Sequence, residues 1–138
     1  MTRTKEVSRD RYKVFIERAG QFYESMLHSF SNGDYDACVS SAVHCGISAS
    51  DALAVLKLGR KSAAQNHFEA VLLLKEAKVS EEAEKSRMCD KLQELLKLKM
   101  LAEYEDRSLS KAEAEKAKAL CEKVFAFVKK EISTGEKI

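Results

Sequence analysis

The stretch from Cys38 to Leu74, CVSSAVHCGISASDALAVLKLGRKSAAQNHFEAVLLL, decides the fold of this chain. Its first part, up to Leu58, forms a helical pattern rich in Ala, Ser, Cys and Gly, and such small side chains let neighbouring helices approach closely. The pattern predicts a central helix over about residues 35–58, because that segment is apolar around most of its circumference. Gly59 suits the left-handed residue that ends a helix, so a turn and a further helix are expected to follow.

The composition of the whole chain indicates an all-α protein. Its 138 residues include no proline and five glycines, and 33% are charged, which together favour long uninterrupted helices. The hydrophobic content of 45% is sufficient for one self-supporting core. We therefore expect a single domain over residues 1–138, with its core at about 10–133.

Apolar periodicity and capping signals predict an antiparallel up-and-down bundle of four long helices plus one short helix. The predicted landmarks are, in order, a cap at Ser8 or Asp10, a turn at Asn32-Gly33-Asp34, a loop over Arg60 to Asn66, a short helix over His67 to Ala77, a helix start at Ser80, a capping box over Ser110 to Glu113 and a frayed tail from Thr134.

Charge and cysteine usage limit the classes of function. The 24 basic residues nearly balance the 22 acidic ones, unlike the clustered positive excess of a dedicated duplex-DNA binder. The four cysteines lie inside helical patterns without a Cys-x-x-Cys pair, and we recognise no secretory leader, so reduced thiols and a cytoplasmic location are expected. We also expect no membrane span, because no apolar run approaches the roughly 20 residues that a span needs.

A polar stripe crosses the central helix and includes candidate functional residues. Ser40, His44, Ser48 and Asp51 follow one another at steps of four, four and three residues, which places them on one face. His44 and Asp51 lie two turns apart, about 10 Å by helical rise, so they can share a ligand without bonding directly. The alternative is a solvated face or a satisfied polar seam between helices.

Arg60 and His67 flank the loop that leaves the central helix. A guanidinium that grips phosphate and an imidazole that titrates near neutrality are the minimum equipment for metal-independent RNA cleavage, with histidine moving protons during attack of a 2′-hydroxyl. In the alternative interpretation, Asn66 caps the next helix, His67 lies in its first turn and Arg60 contacts carbonyls at the preceding helix end.

Metal and cofactor chemistry have little support in the residue pattern. The three histidines are spread along the chain without ligand spacing, and the five glycines are isolated rather than gathered in a phosphate-binding loop. The cysteines lie in helix interiors rather than at an electropositive helix start, which disfavours a cysteine nucleophile. We expect no metal and no cofactor.

Two segments carry a family resemblance: HCGISASDALAVLKLGRKSAAQNHFEAVLLL at 44–74 and LLKLKMLAEYEDRSLSKAEAEKAKALCEKVFAFV at 95–128. Their order and spacing resemble the HEPN superfamily, the higher eukaryote and prokaryote nucleotide-binding domains, in a small bacterial stand-alone branch. The similarity covers roughly residues 10–133. The aromatic and acidic turn Ala102-Glu103-Tyr104-Glu105-Asp106-Arg107 before the last helix is its second landmark.

The resemblance implies a helical bundle, a homodimer with facing helices, and often RNA cleavage at a composite site. Its catalytic signature is an arginine and a histidine separated by four to six residues, which Arg60 and His67 meet at the upper limit. Two interpretations follow. One is an RNA- or nucleotide-binding dimer or endoribonuclease that uses Arg60 and His67, supported by His44, Ser48 and Asp51. The other is a noncatalytic helical interaction or dimerisation module with a protein partner.

Overall fold

The chain forms a helical bundle with a two-stranded ribbon at the carboxyl end of its central helix. The computed structural model describes residues 4–63 and 68–136. Within them the elements are β1 (Thr4–Glu6), a 3-10 helix (Arg9–Arg11), α1 (Tyr12–Ser31), α2 (Tyr35–Leu58), β2 (Arg60–Ser62), α3 (Phe68–Glu76), α4 (Glu82–Tyr104) and α5 (Lys111–Glu136). The predicted all-α bundle of four long helices and one short helix is confirmed.

Helix α2 is the centre of the bundle. Every residue from Cys45 to Val55 is buried, and α2 contacts all four of the other α-helices as well as β2. Its antiparallel packing on α1 is visible in the hydrogen bond between the Ser41 and Ser25 hydroxyls, at 3.3 Å. The central position predicted for this helix is confirmed by its burial, which includes polar residues such as Ser48 and Asp51.

The expectation that no segment is apolar enough to cross a membrane is wrong for α2. By length and composition alone, Tyr35–Leu58 qualifies as a span. Within the fold, however, 78% of its most apolar window is buried against other parts of the protein. A core helix surrounded by other helices passes the same compositional test.

The small residues of α2 allow close helix approach at Gly46. A methyl group added there would lie 2.9 Å from Leu95 Cδ2 and 3.2 Å from Leu92 Cδ1, both on α4. Real Cβ atoms are rarely so close to a neighbour. The glycine therefore lets the fully buried leucines of α4 pack directly onto the α2 backbone.

The last two helices bury apolar residues that recur at steps of three and four. Leu109 joins the core from the connection between them, and its amide donates to the Asp36 carboxylate at 2.8 Å. The capping box is confirmed, since the Glu113 amide donates to Ser110 Oγ at 3.1 Å and the Ser110 amide donates to the Glu113 carboxylate at 2.8 Å. The buried stripe residues are Met88, Leu92, Leu95 and Leu98 in α4 and Ala117, Cys121, Val124, Val128 and Ile132 in α5.

Several predicted helix boundaries are wrong for identifiable reasons. The Ser8 hydroxyl donates to Asp10 at 2.6 Å, and a 3-10 turn intervenes, so neither residue caps α1. Helix α4 begins at Glu82 rather than at Ser80, because Ser80 is bonded to Glu131 of α5. Helix α5 continues through Thr134 to Glu136 instead of fraying.

The segment after Gly59 begins as a strand rather than as the predicted loop. Gly59 has a φ of 68°, the left-handed conformation expected of it, and it turns the chain from α2 into β2. Strand β2 pairs antiparallel with β1, with Lys61 opposite Lys5 and Arg60 opposite Glu6. The Val7 amide extends this ribbon by donating to the Gly59 carbonyl at 2.9 Å.

Candidate functional site

Arg60 lies in β2, and its guanidinium is engaged by a carboxylate. Its Nη2 atom donates to Glu76 Oε2 at 2.6 Å, across to the end of α3. The Arg60 side chain is 31% exposed and borders an open surface cavity of about 530 Å³ that the 58–60 and 6–8 segments line. Glu76, which sequence reasoning missed, neutralises the residue assigned to phosphate contact.

Asp51 holds β2 onto the central helix. One carboxylate oxygen accepts the Ser62 backbone N–H at 2.9 Å and the Ser62 hydroxyl at 2.8 Å, and the other oxygen lies 3.1 Å from that hydroxyl. Burial raises the pKa of Asp51, while the Ser62 hydrogen bonds, Lys61 and Arg18 oppose that rise. In this arrangement Asp51 is a structural anchor, as in the satisfied-seam alternative.

His44 and Ser48 lie on the same stripe but have surroundings of their own. The His44 ring stacks on Phe22 of α1, with ring centroids 5.2 Å apart. Burial lowers the pKa of His44, and Lys99 of α4 lowers it further, so both effects favour the neutral ring. Ser48 is buried between His44 and Asp51 along the helix. Asp51 thus contacts the ribbon, whereas His44 contacts α1.

His67 and Asn66 lie outside the described residues. The pairing of Arg60 with His67 therefore stays a prediction, as does the alternative in which Asn66 caps α3. On the described side of this junction, α3 starts at Phe68, close to the predicted start.

Two buried polar groups that sequence reasoning missed organise the turn between α3 and α4. Glu131 is only 1% exposed, and its carboxylate accepts the Ser80 amide at 3.0 Å and the Ser80 hydroxyl at 2.6 Å. Lys85 donates to the carbonyls of Lys75 at 2.7 Å and Ala77 at 2.9 Å, so an ammonium meets the negative end of α3. These groups stabilise the fold and lie apart from the Arg60 junction.

The aromatic and acidic turn before α5 is closed by an ion-pair cluster. Arg107 bonds to Glu105 and to both carboxylate oxygens of Glu113, at 2.8 and 2.9 Å for the latter. These bonds lower the pKa of Glu113 to about 2. The arginine of this landmark thus has carboxylate partners and stabilises the start of α5.

Within residues 4–63 and 68–136, no group of three or more potential ligands is placed to hold a metal ion. The four cysteines are free and buried. Burial raises the pKa of the Cys38 and Cys89 thiols, which disfavours the reactive thiolate form.

The protein is an all-α bundle built around a buried helix of small residues, with a polar junction at the carboxyl end of that helix. The model of the HEPN domain matches residues 12–132, and the chain belongs to this family. The resemblance inferred from the two segments is therefore confirmed. No curated protein is significantly similar to the chain.

Proposed function

We propose that this HEPN domain binds RNA at the junction of α2 and β2 without cleaving it. HEPN domains are helical domains often related to nucleotides or RNA. The proposal that the domain does not cleave RNA rests on one observation: Arg60 and Asp51 already have bonding partners within the protein. Arg60 is paired with Glu76, and Asp51 holds Ser62. A general acid or base needs a pKa near the working pH. The pKa of His44 is lowered, so it lies further below pH 7 than that of an ordinary histidine.

Metal-independent cleavage by Arg60 and His67 is the second candidate. It is favoured by the partial exposure of Arg60 beside an open cavity, because a phosphate there could displace Glu76 from its single bond to Nη2 and accept forked hydrogen bonds from the guanidinium. In that mechanism His67 would exchange a proton with the 2′-hydroxyl, and Arg60 would hold the phosphate.

Incubation of labelled RNA with purified protein and a metal chelator separates these candidates. We expect the wild type to retain RNA in a filter-binding assay, and we expect no fragments on a denaturing gel for the wild type or for the Arg60→Ala and His67→Ala variants. Arg87→Ala, which removes an exposed arginine from α4, is the matched control. Chelator-resistant cleavage lost in Arg60→Ala and His67→Ala but kept in Arg87→Ala would establish the nuclease instead. A wild type that does not bind RNA would refute the proposal and favour a protein-binding module.

We also propose that the domain forms a homodimer, as the family resemblance implies. Phe68 and Leu72 support this, because they are 38% and 54% exposed and lie one turn apart on α3. Light scattering is expected to give twice the 15.5 kDa mass of one chain, and Leu72→Glu should shift the mass toward the monomer. A monomer at every concentration tested would contradict this part of the proposal.

A further inference from the structure

We infer that RNA phosphates bind a basic surface on the ribbon and the adjoining start of α1, which we call the ribbon surface: Lys5, Arg9, Arg11, Arg18 and Lys61. This inference rests on the proposed RNA binding and specifies where the backbone of the nucleic acid would lie. It places the contact beside Arg60 but on the opposite face of the ribbon.

The charge of the chain is concentrated at this end of the bundle. Residues 5–18 and 57–61 contain eight basic and three acidic residues, a net charge of +5, whereas the whole chain has a net charge of +2. The remainder of the chain is therefore net negative, at −3. A positive end on a molecule that is otherwise acidic attracts and orients a polyanion.

The two faces of the ribbon differ in charge. Successive side chains of a strand point to opposite faces, so the facing pair Lys5 and Lys61 shares one side and the facing pair Glu6 and Arg60 shares the other. The second side is balanced by Glu6 and by the bond between Arg60 and Glu76. Among the described residues, no ion pair is formed by Lys5 or Lys61.

Like charges directly opposite each other in an antiparallel pair are unfavourable. The Lys5 and Lys61 pair is therefore stabilised when an anion binds across it.

Arginines of α1 and the 3-10 helix extend this positive face. The Lys61 ammonium lies 5.9 Å from the Phe15 ring centroid and the Arg18 guanidinium lies 5.3 Å from the same centroid, so the ribbon and α1 cations are neighbours. Arg11 lies seven residues before Arg18, hence on a similar side and about 10 Å away by helical rise.

Arg9 extends the ribbon surface toward Gly59. Its side chain packs against Gly59, and a Cβ atom added to that glycine would lie 3.7 Å from Arg9 Nε. Asp51 is buried and accepts Ser62, and Asp10 accepts the Ser8 hydroxyl. Glu6 lies on the other side of the ribbon, so Glu17 of α1 is the exposed carboxylate nearest in sequence to Arg18. Of the five cations, Lys5, Arg9, Arg11 and Arg18 are exposed, and Lys61 is half-buried.

The surface suits a phosphate backbone rather than bases. Its aromatic neighbours Tyr12 and Phe15 are 7% and 8% exposed, so they offer no ring on which a base could stack. Arginine presents a rigid fork of donors that matches phosphate oxygens. Binding should accordingly be independent of sequence and sensitive to salt.

The test compares two triple variants of the full chain with equal charge change. Lys5→Gln/Arg9→Gln/Arg18→Gln removes three cations of the ribbon surface, and Lys97→Gln/Lys116→Gln/Lys123→Gln removes three exposed cations elsewhere. Glutamine keeps much of each aliphatic stem, and a thermal melt of each variant verifies its fold. Binding of a labelled 20-nucleotide RNA of mixed sequence is measured at several salt concentrations, beside the wild type.

We expect the ribbon-surface variant to lose affinity by about tenfold or more at low salt and to reduce the slope of log K against log salt by about 2, at roughly 0.7 per lost phosphate contact. The control triple variant should match the wild type. Equal weakening of both variants, or unchanged binding by the ribbon-surface variant, would overturn the inference while leaving RNA binding itself intact. A wild type that binds polyglutamate but not RNA would instead refute the proposed function together with this inference.

Discussion

Replacing Asp51 by alanine is expected to lower the free energy of unfolding by about 2–3 kcal/mol, because Ser62 then loses its buried acceptor. Asp51 is 6% exposed and accepts both the Ser62 backbone N–H and the Ser62 hydroxyl. At about 4 °C per kcal/mol for a chain of this size, the melting temperature should fall by roughly 10 °C.

The matched control is Asp90→Ala, which removes an exposed aspartate from helix α4. Surface substitutions of this kind usually change stability by less than about 0.5 kcal/mol. Equal melting temperatures for the two variants would show that Asp51 does not anchor the ribbon.

The isosteric variant Asp51→Asn tests the electrostatic side of the same contact. Burial is the largest cause acting on Asp51 and raises its pKa, so the folded state holds the proton more tightly than the unfolded state. This contribution is fully present below the ordinary pKa of 3.8 and is lost as pH rises through the raised pKa. The stability of wild type relative to Asp51→Asn, measured by urea unfolding, should therefore decline over that interval. A difference that grows with pH would contradict the dominance of burial.

The helical framework was predictable because each long helix has its own periodic signal. The apolar residues of α4 and α5 repeat at steps of three and four, and these stripes are buried, except that Ala102 near the end of α4 is half-buried. The end of α2 was equally predictable, since Gly59 adopts the left-handed conformation that other residues avoid. These features depend on residues close together in the chain.

The ribbon could not be predicted in the same way. Its strands, Thr4–Glu6 and Arg60–Ser62, have only three polar residues each, without the alternation that identifies a strand. They pair because Asp51 fixes Ser62 and because the ends of α1 and α2 meet, which are tertiary effects. Local patterns therefore indicated a loop where long-range contacts impose a strand.

The positions of the candidate residues on α2 could be predicted from the sequence, but the contacts that these residues make could not. The stripe spacing correctly placed His44 and Asp51 on related sides of α2, but it could not identify Phe22 and Ser62 as their partners. Glu76 was equally hidden, because its bond to Arg60 spans 16 residues through the end of α3. Spacing identifies which groups share a face, and only the packing of other elements shows what engages them.

Glu131 is the exception that carried a readable signal. It lies three residues after Val128 and seven after Val124, so the inward stripe of α5 places a carboxylate among apolar residues. A charged residue at an inward position predicts a buried partner, because an unpaired buried carboxylate is costly. The partner, Ser80, lies in the connection to the preceding helix.

Glu131→Ala is expected to destabilise the fold by about 3–4 kcal/mol, the typical cost of removing one partner from a buried charged hydrogen-bond set. The substitution leaves the Ser80 amide and hydroxyl without their acceptor and opens a cavity beside Val128, which is fully buried. It also frees the start of α4, where Lys85 holds the end of α3, so amide protons of both helix ends should exchange faster.

Two comparisons make the Glu131 prediction specific to its bonds with Ser80. Glu115→Ala removes an exposed glutamate from the same helix and should change the unfolding free energy by less than about 0.5 kcal/mol. In a double-mutant cycle, Ser80→Ala and Glu131→Ala should show a coupling of about 1–2 kcal/mol, because the second substitution removes a bond that the first has already lost. Strict additivity of the two losses would show that the Ser80 hydroxyl contributes nothing to the bond, and that the cost comes from the backbone amide and the cavity.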